Sequence, residues 1–60
     1  MNATEIQDIA RRLLEAHGNK AIAEAAQKAC AFEEQGEHEE AHKWRRIESA
    51  LMLLRGPHAS

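Results

Sequence analysis

Aromatic residues are scarce in this sequence, which has one Trp, one Phe and no Tyr among its 60 residues. It also has a single cysteine, Cys30, so it cannot form the disulfide framework that small secreted proteins rely on. No apolar run reaches the length of a membrane-spanning helix or of a signal-peptide core. Since one free cysteine is typical of a reducing compartment, we expect a cytoplasmic protein that does not contact a membrane.

The sequence also lacks an excess of basic charge. Eight Lys and Arg residues stand against ten Asp and Glu residues, which gives a net charge of −2 and disfavours a nucleic-acid-binding module. There is no glycine-rich phosphate-binding loop and no paired CxxC motif. A chain of this length accommodates one domain at most. We therefore expect a single helical domain over residues 1–60, with no cofactor and no enzymatic activity.

Strong helix breakers are few, and they divide the chain into segments of helical composition. Gly18, Gly36 and Gly56, the last followed by Pro57, each favour the end of a helix. Apolar residues recur at spacings of three and four between them. The pattern predicts an all-α fold, a compact three-helix up-down-up arrangement over residues 5–17, 20–35 and 37–55. A bent helix that continues through Gly18 is the alternative at the first break.

The ends of these helices carry recognisable capping signals. Thr4 and Gln7 have the spacing of a capping box at the start of the first helix. Asn19 is suited to cap the second helix, and His17 to meet the unpaired carbonyl groups at the end of the first. Residues 1–4 and 57–60, which include His58, are expected to be flexible.

The predicted core combines large residues from the outer helices with a thin, alanine-rich second helix. Because alanine lets neighbours approach closely from several directions, we expect the second helix to be the middle element. Helical periodicity assigns to the core Ile6, Ile9, Ala10, Leu13, Leu14, Ile22, Ala25, Ala26, Ala29, Phe32, Trp44, Ile47, Ala50, Leu51 and Leu54. Cys30 is expected to be a buried or half-buried helix residue.

The last helix is apolar almost all the way round over Leu51, Met52, Leu53 and Leu54. One chain of this size has too few large side chains to cover such a turn, because ordering each residue costs about 1.5 kcal/mol. We therefore predict that these four residues form an interface in a homo-oligomer, a homodimer first of all. An unidentified protein partner and a marginally stable monomer are the alternatives.

Residues 38–42 read H-E-E-A-H, which matches the H-E-x-x-H pattern of zinc metalloproteases. On a helical wheel, however, His38 and His42 lie opposite the apolar seam that contains Trp44, so they are expected to face water. A catalytic zinc also needs a third ligand and a walled cleft. We predict a solvated helix face, no metal site and no hydrolysis, with adventitious or oligomer-bridging metal binding through His38 and His42 as the alternative.

Lys43, Arg45 and Arg46 surround Trp44, as in some nucleic-acid-binding patches. Three helices also allow a helix-turn-helix motif, although the recognition helix would open with glutamates that repel phosphates. We expect these cations to pair instead with glutamates at helical spacing, which are Glu39, Glu40 and Glu48. A small nucleic-acid-associated regulator is the alternative function.

One pattern of residues extends over most of the chain. It consists of the segment Leu14-Glu15-Ala16-His17-Gly18, the alanines at 21, 25, 26 and 29, and Gly36, Ala41, Trp44, Arg46, Ile47 and Ala50. In this pattern the chain resembles short uncharacterised bacterial helical proteins with an HG helix stop, an alanine-rich middle helix and a W-x-R-I segment. That resemblance implies no activity. Gln35-Gly36-Glu37 with Glu40-Ala41 also resembles one tetratricopeptide hairpin, without the neighbouring repeats that such folds need. The function we expect is a non-enzymatic, self-associating or protein-binding module.

Overall fold

The computed structural model describes residues 2–55 of the chain, which form three helices. They are α1 (Ala3–His17), α2 (Lys20–Glu34) and α3 (His38–Arg55), and the described part of the chain has no strand. The predicted all-α, three-helix fold is confirmed. The expected end of the last helix at Gly56 and Pro57, and the expected flexibility of residues 57–60, lie outside the described residues.

Helix α1 begins earlier than the capping pattern suggested. The Asn2 side chain accepts a hydrogen bond from the Glu5 backbone N–H at 2.9 Å, and the Asn2 N–H donates to the Glu5 carboxylate at 3.3 Å. These two bonds form a capping box. The predicted box at Thr4 and Gln7 is therefore wrong, and residues 2–4, expected to be flexible, are the cap and first turn of the helix.

Gly18 ends α1 rather than bending it. Its backbone has φ 61° and ψ −137°, and its N–H donates to the Leu14 carbonyl at 2.8 Å. The predicted stop is confirmed and the continuous helix is wrong. Asn19 has helical dihedral angles and makes no side-chain cap bond, which contradicts its predicted role. The Ala21 N–H donates instead to the Gly18 carbonyl at 3.0 Å. A backbone carbonyl of the turn therefore replaces the side-chain cap at the start of α2.

Helix α2 ends in a Schellman motif at Gly36. The Glu37 N–H donates to the Phe32 carbonyl at 2.8 Å, and the Gly36 N–H donates to the Glu33 carbonyl at 3.1 Å. This pair of bonds requires a left-handed residue between them, and Gly36 supplies it with φ 80°. The predicted stop at this glycine is confirmed, and α3 follows after one further residue.

The core is built largely from alanine. Within residues 2–55 the buried residues are Ile6, Ala10, Ala21, Ala25, Ala29, Ala41, Ile47 and Leu51, and among these only Ile47 and Leu51 are large side chains that are fully buried. On α2 the buried stripe is rotated towards Ala21 relative to the prediction, so Ile22 and Phe32 lie half-buried at its edges. Small residues at the centre of the stripe allow the helices to approach closely.

Helix α3, and not α2, is the central element. It packs most extensively against α2 and then against α1, whereas the contact between α1 and α2 is the smallest of the three. The expectation of a central α2 is wrong because α3 carries the large side chains that reach both neighbours. Ile47 and Leu51 are buried, and the half-buried Trp44 packs against the core. Leu54, predicted in the core seam, is 38% exposed.

The start of α1 lies beside the second half of α3. Ala3, Ile6 and Gln7 line one groove together with α3 residues from Arg46 to Leu53. In an up-down-up bundle α1 and α3 run parallel, so the start of α1 meets the start of α3. The structure therefore does not show the predicted up-down-up packing. The contact of the first turns of α1 with the second half of α3 favours a different crossing of these two helices.

Candidate functional site: the uncharged end of the third helix

The predicted interface residues separate into one core residue and three surface residues. Leu51 is fully buried inside the chain, so it is a core residue here and leaves no side-chain surface for a partner. Met52, Leu53 and Leu54 are 51%, 75% and 38% exposed, and they are the large hydrophobic side chains that the described residues leave open to solvent. Exposed apolar side chains that cluster in this way are typical of interaction sites.

This end of α3 also lacks charge. Residues 49–54 read S-A-L-M-L-L, an uncharged stretch between Glu48 and Arg55. Successive residues of a helix are 100° apart, so the stretch leaves every side of the helix without charge for more than one turn. Such a surface costs little to remove from water, since it holds few groups that would lose strong hydration.

A groove opens beside Leu53, between α1 and α3, and we call it the α1–α3 groove. It is open to solvent, has a volume of about 220 Å³ and is lined by Ala3, Ile6, Gln7, Arg46, Ser49, Ala50 and Leu53. Ile6 is buried and Ala50 half-buried, which makes the floor apolar. Leu53 stands at the rim and projects outwards. The exposed Leu53 side chain thus lies beside a groove that has room for a leucine side chain.

A second, wider cleft lies between α1 and α2. It has a volume of about 480 Å³ and is lined by Leu13, His17, Glu24, Gln27, Lys28 and Ala31. The His17 Nδ1 atom lies 3.6 Å from a Glu24 carboxylate oxygen, so His17 faces a side chain of α2. The predicted position of His17 against the carbonyl groups at the end of its own helix is therefore wrong. Both side chains are over 40% exposed. The cleft mixes apolar and charged side chains, lies open to solvent and has no enclosed binding position.

The histidines of the H-E-E-A-H segment face water. His38 and His42 are both exposed on the first turns of α3, which confirms the orientation that the helical wheel predicted. Within residues 2–55 the structure brings together no group of three or more His, Cys, Asp or Glu side chains that could hold a metal ion. A catalytic zinc requires three protein ligands beside an open position, and these two histidines supply only part of that set.

Two of the three basic side chains around Trp44, Lys43 and Arg45, form ion pairs with carboxylates. The Lys43 Nζ atom lies 2.8 Å from Glu40, and the Arg45 guanidinium lies 3.3 Å from Glu33 and 3.2 Å from Glu48. The hydrogen bond to Glu33, followed by that to Glu48, raises the pKa of Arg45 above its ordinary value. The predicted pairing with Glu40 and Glu48 is confirmed, whereas none of these cations forms an ion pair with Glu39 among the described residues, and the contact with Glu33 ties α3 to α2.

Two further residues complete this face of the bundle. The Lys28 ammonium lies 5.5 Å from the centroid of the Trp44 ring, a cation–π distance. Cys30 is exposed, so its predicted burial is wrong, and its Sγ atom lies 3.9 Å from the Arg45 guanidinium. Cys30 follows the buried Ala29 on the helix, and a step of 100° moves its side chain away from the core.

No family model matches this chain, and comparison with curated proteins and with solved structures finds no similar protein. None of the described helices is both long enough and apolar enough to cross a membrane. Any functional assignment therefore depends on the surface of the chain itself.

Proposed function

We propose that this protein is a non-enzymatic helical module of the cytoplasm that works by binding another protein chain, first of all a second copy of itself. The observation that carries the proposal is the 75% exposure of Leu53 within the uncharged end of α3. A leucine left this open loses most of the free energy that its burial would contribute. Covering it recovers that free energy.

The thin core supports the proposal. Five of the eight buried residues in the described part of the chain are alanines, which contribute little apolar area each. Chains of fewer than about 70 residues rarely gain more than a few kcal/mol from one core, and self-association is a common supplement. A partner that covers the end of α3 adds burial that the chain cannot provide alone.

The size of the exposed surface indicates how strong such an association is. Full burial of a large apolar side chain is worth about 2 kcal/mol. We multiply this free energy by the exposed fractions of Met52, Leu53 and Leu54. Covering the three side chains then contributes about 3 kcal/mol of association free energy per copy and about 6 kcal/mol per pair. Association costs at least about 4 kcal/mol in lost translational and rotational freedom. These three side chains therefore only just balance the cost, and a stable pair must also bury the neighbouring surface.

The proposal is tested by mass and stability measured against concentration. Sedimentation and light scattering are expected to give a mass that rises from 6.7 kDa towards twice that value, together with a melting temperature that rises with concentration. Leu53→Glu should keep the monomer folded and abolish association, whereas Leu51→Glu should unfold the chain, since it buries a charge in the core. Ala23→Glu, at an exposed site on α2, is the matched control and should leave association unchanged.

A monomeric mass at millimolar concentration, with a melting temperature independent of concentration, would refute self-association. The nucleic-acid alternative stays a prediction. Lys43 and Arg45 already contact carboxylates at the surface, and a phosphate group would have to replace these carboxylates. Retardation of duplex DNA or RNA at low salt, weakened by Arg46→Ala, would favour that alternative over ours.

A further inference from the structure

Leu53 and the α1–α3 groove form a projection and a hole on the same face of the chain. Leu53 is 75% exposed at the rim of a groove of about 220 Å³, whose floor is formed by Ile6 and Ala50. This volume exceeds that of a leucine side chain. Leu53 does not fill the groove of its own chain, so the groove is open to a leucine that comes from outside.

The charge of this face suits a second copy. A two-fold interface places the same patch of both chains face to face. A charged residue near the axis therefore lies close to the same charge of the other chain and is repelled by it. The end of α3 avoids this repulsion because residues 49–54 are uncharged. Among the described residues that line the groove, Arg46 alone carries a charge, and its neighbours Gln7 and Ser49 are neutral hydrogen-bonding groups.

We infer that a second copy of this chain docks on this face, with Leu53 of each copy inserted into the α1–α3 groove of the other. This inference rests on the proposed function and specifies its interface. Two reciprocal insertions close the interface around a two-fold axis, so the assembly stops at a dimer. They also bury the groove surface that the three exposed side chains of α3 cannot supply by themselves.

The direct test is an isotope-filtered NMR experiment on a mixture of ¹³C-labelled and unlabelled chains at millimolar concentration. We expect intermolecular contacts from the Leu53 methyl groups to the methyl groups of Ala3, Ile6 and Ala50. A dimer whose intermolecular contacts lie elsewhere would overturn this inference and leave self-association intact. A chain that stays monomeric at this concentration would overturn both.

A mixing experiment tests the insertion separately. Leu53→Ser removes the projection and keeps the groove, whereas Ser49→Phe fills the groove and keeps the projection. Each variant alone should dimerise at least about tenfold more weakly than the natural chain, because both insertions are lost. A mixture of the two restores one insertion, so the mixed dimer should be at least about threefold tighter than either variant alone.

Met52→Ser is the matched control, since Met52 is exposed but does not line the groove. It should weaken the dimer less than Leu53→Ser does, because it leaves both insertions in place. Far-UV circular dichroism of every variant checks that the helices are retained. If Met52→Ser weakens the dimer as much as Leu53→Ser, or if the mixture associates no better than its components, the insertion is refuted. A complex with a different protein that protects Leu53, in place of the dimer, would refute the second copy as occupant.

Discussion

Replacing Gly18 by alanine tests the turn between α1 and α2 through the sign of the stability change. Gly18 has φ 61° and ψ −137°, a backbone region in which an L side chain is strained. A Cβ atom added there meets no atom within 4 Å, so the strain is confined to the backbone. We expect Gly18→Ala to lower the free energy of unfolding by about 1–3 kcal/mol.

The opposite sign is expected if the chain forms one bent helix through this position. Alanine would then raise the free energy of unfolding by about 1 kcal/mol, because glycine is a poor helix former. D-alanine sharpens the comparison. The mirror image of the Gly18 dihedral angles is the polyproline region, which L residues adopt without strain. D-alanine at Gly18 should therefore stabilise the chain by about 0.4–1 kcal/mol, since it restricts the unfolded state.

A chain of 60 residues is short enough for chemical synthesis of the three forms. Their unfolding in urea is followed by circular dichroism at one fixed chain concentration, because association raises the apparent stability. In thermal unfolding, each 1 kcal/mol corresponds to a shift of about 4–8 °C in the midpoint. D-alanine in place of Ala23, on the exposed side of α2, is the control and should destabilise the helix. If Gly18→Ala proves as stable as the glycine chain, or more stable than the D-alanine chain, Gly18 does not adopt this turn conformation.

Two other predictions concern the first cap and the histidine pair. Asn2→Ala should lower the free energy of unfolding by about 1 kcal/mol, whereas Thr4→Ala should change it by less than about 0.5 kcal/mol; equal effects in urea unfolding would contradict the observed cap. For His38 and His42, calorimetric titration with zinc should show only weak binding, and His42→Ala should leave stability within about 0.5 kcal/mol. Stoichiometric submicromolar binding, abolished by His42→Ala, would instead establish a metal site.

The sequence predicts where the helices stop better than where they start. Gly18 and Gly36 both adopt positive φ, a requirement that glycine meets and that marks the stop in the sequence. At the start of α1 two capping signals compete, because Asn2 with Glu5 and Thr4 with Gln7 have the same spacing. The structure uses the first, which starts the helix two residues earlier than predicted. A choice between two such signals depends on the tertiary contacts of those residues, which the local pattern does not contain.

Helix packing explains why only half of the candidate site is visible in the sequence. A helical wheel of α3 places Leu53 away from the Ile47 and Leu51 seam, so its exposure follows from periodicity alone. The groove does not, because it forms where the first turns of α1 cross the second half of α3, and that crossing depends on which helix is central. Small side chains at Ala3 and Ala50 leave the hole open. A substitution that enlarges either residue would close the groove without changing the hydrophobic pattern of α3, so the pattern alone cannot report whether a partner has a place to dock.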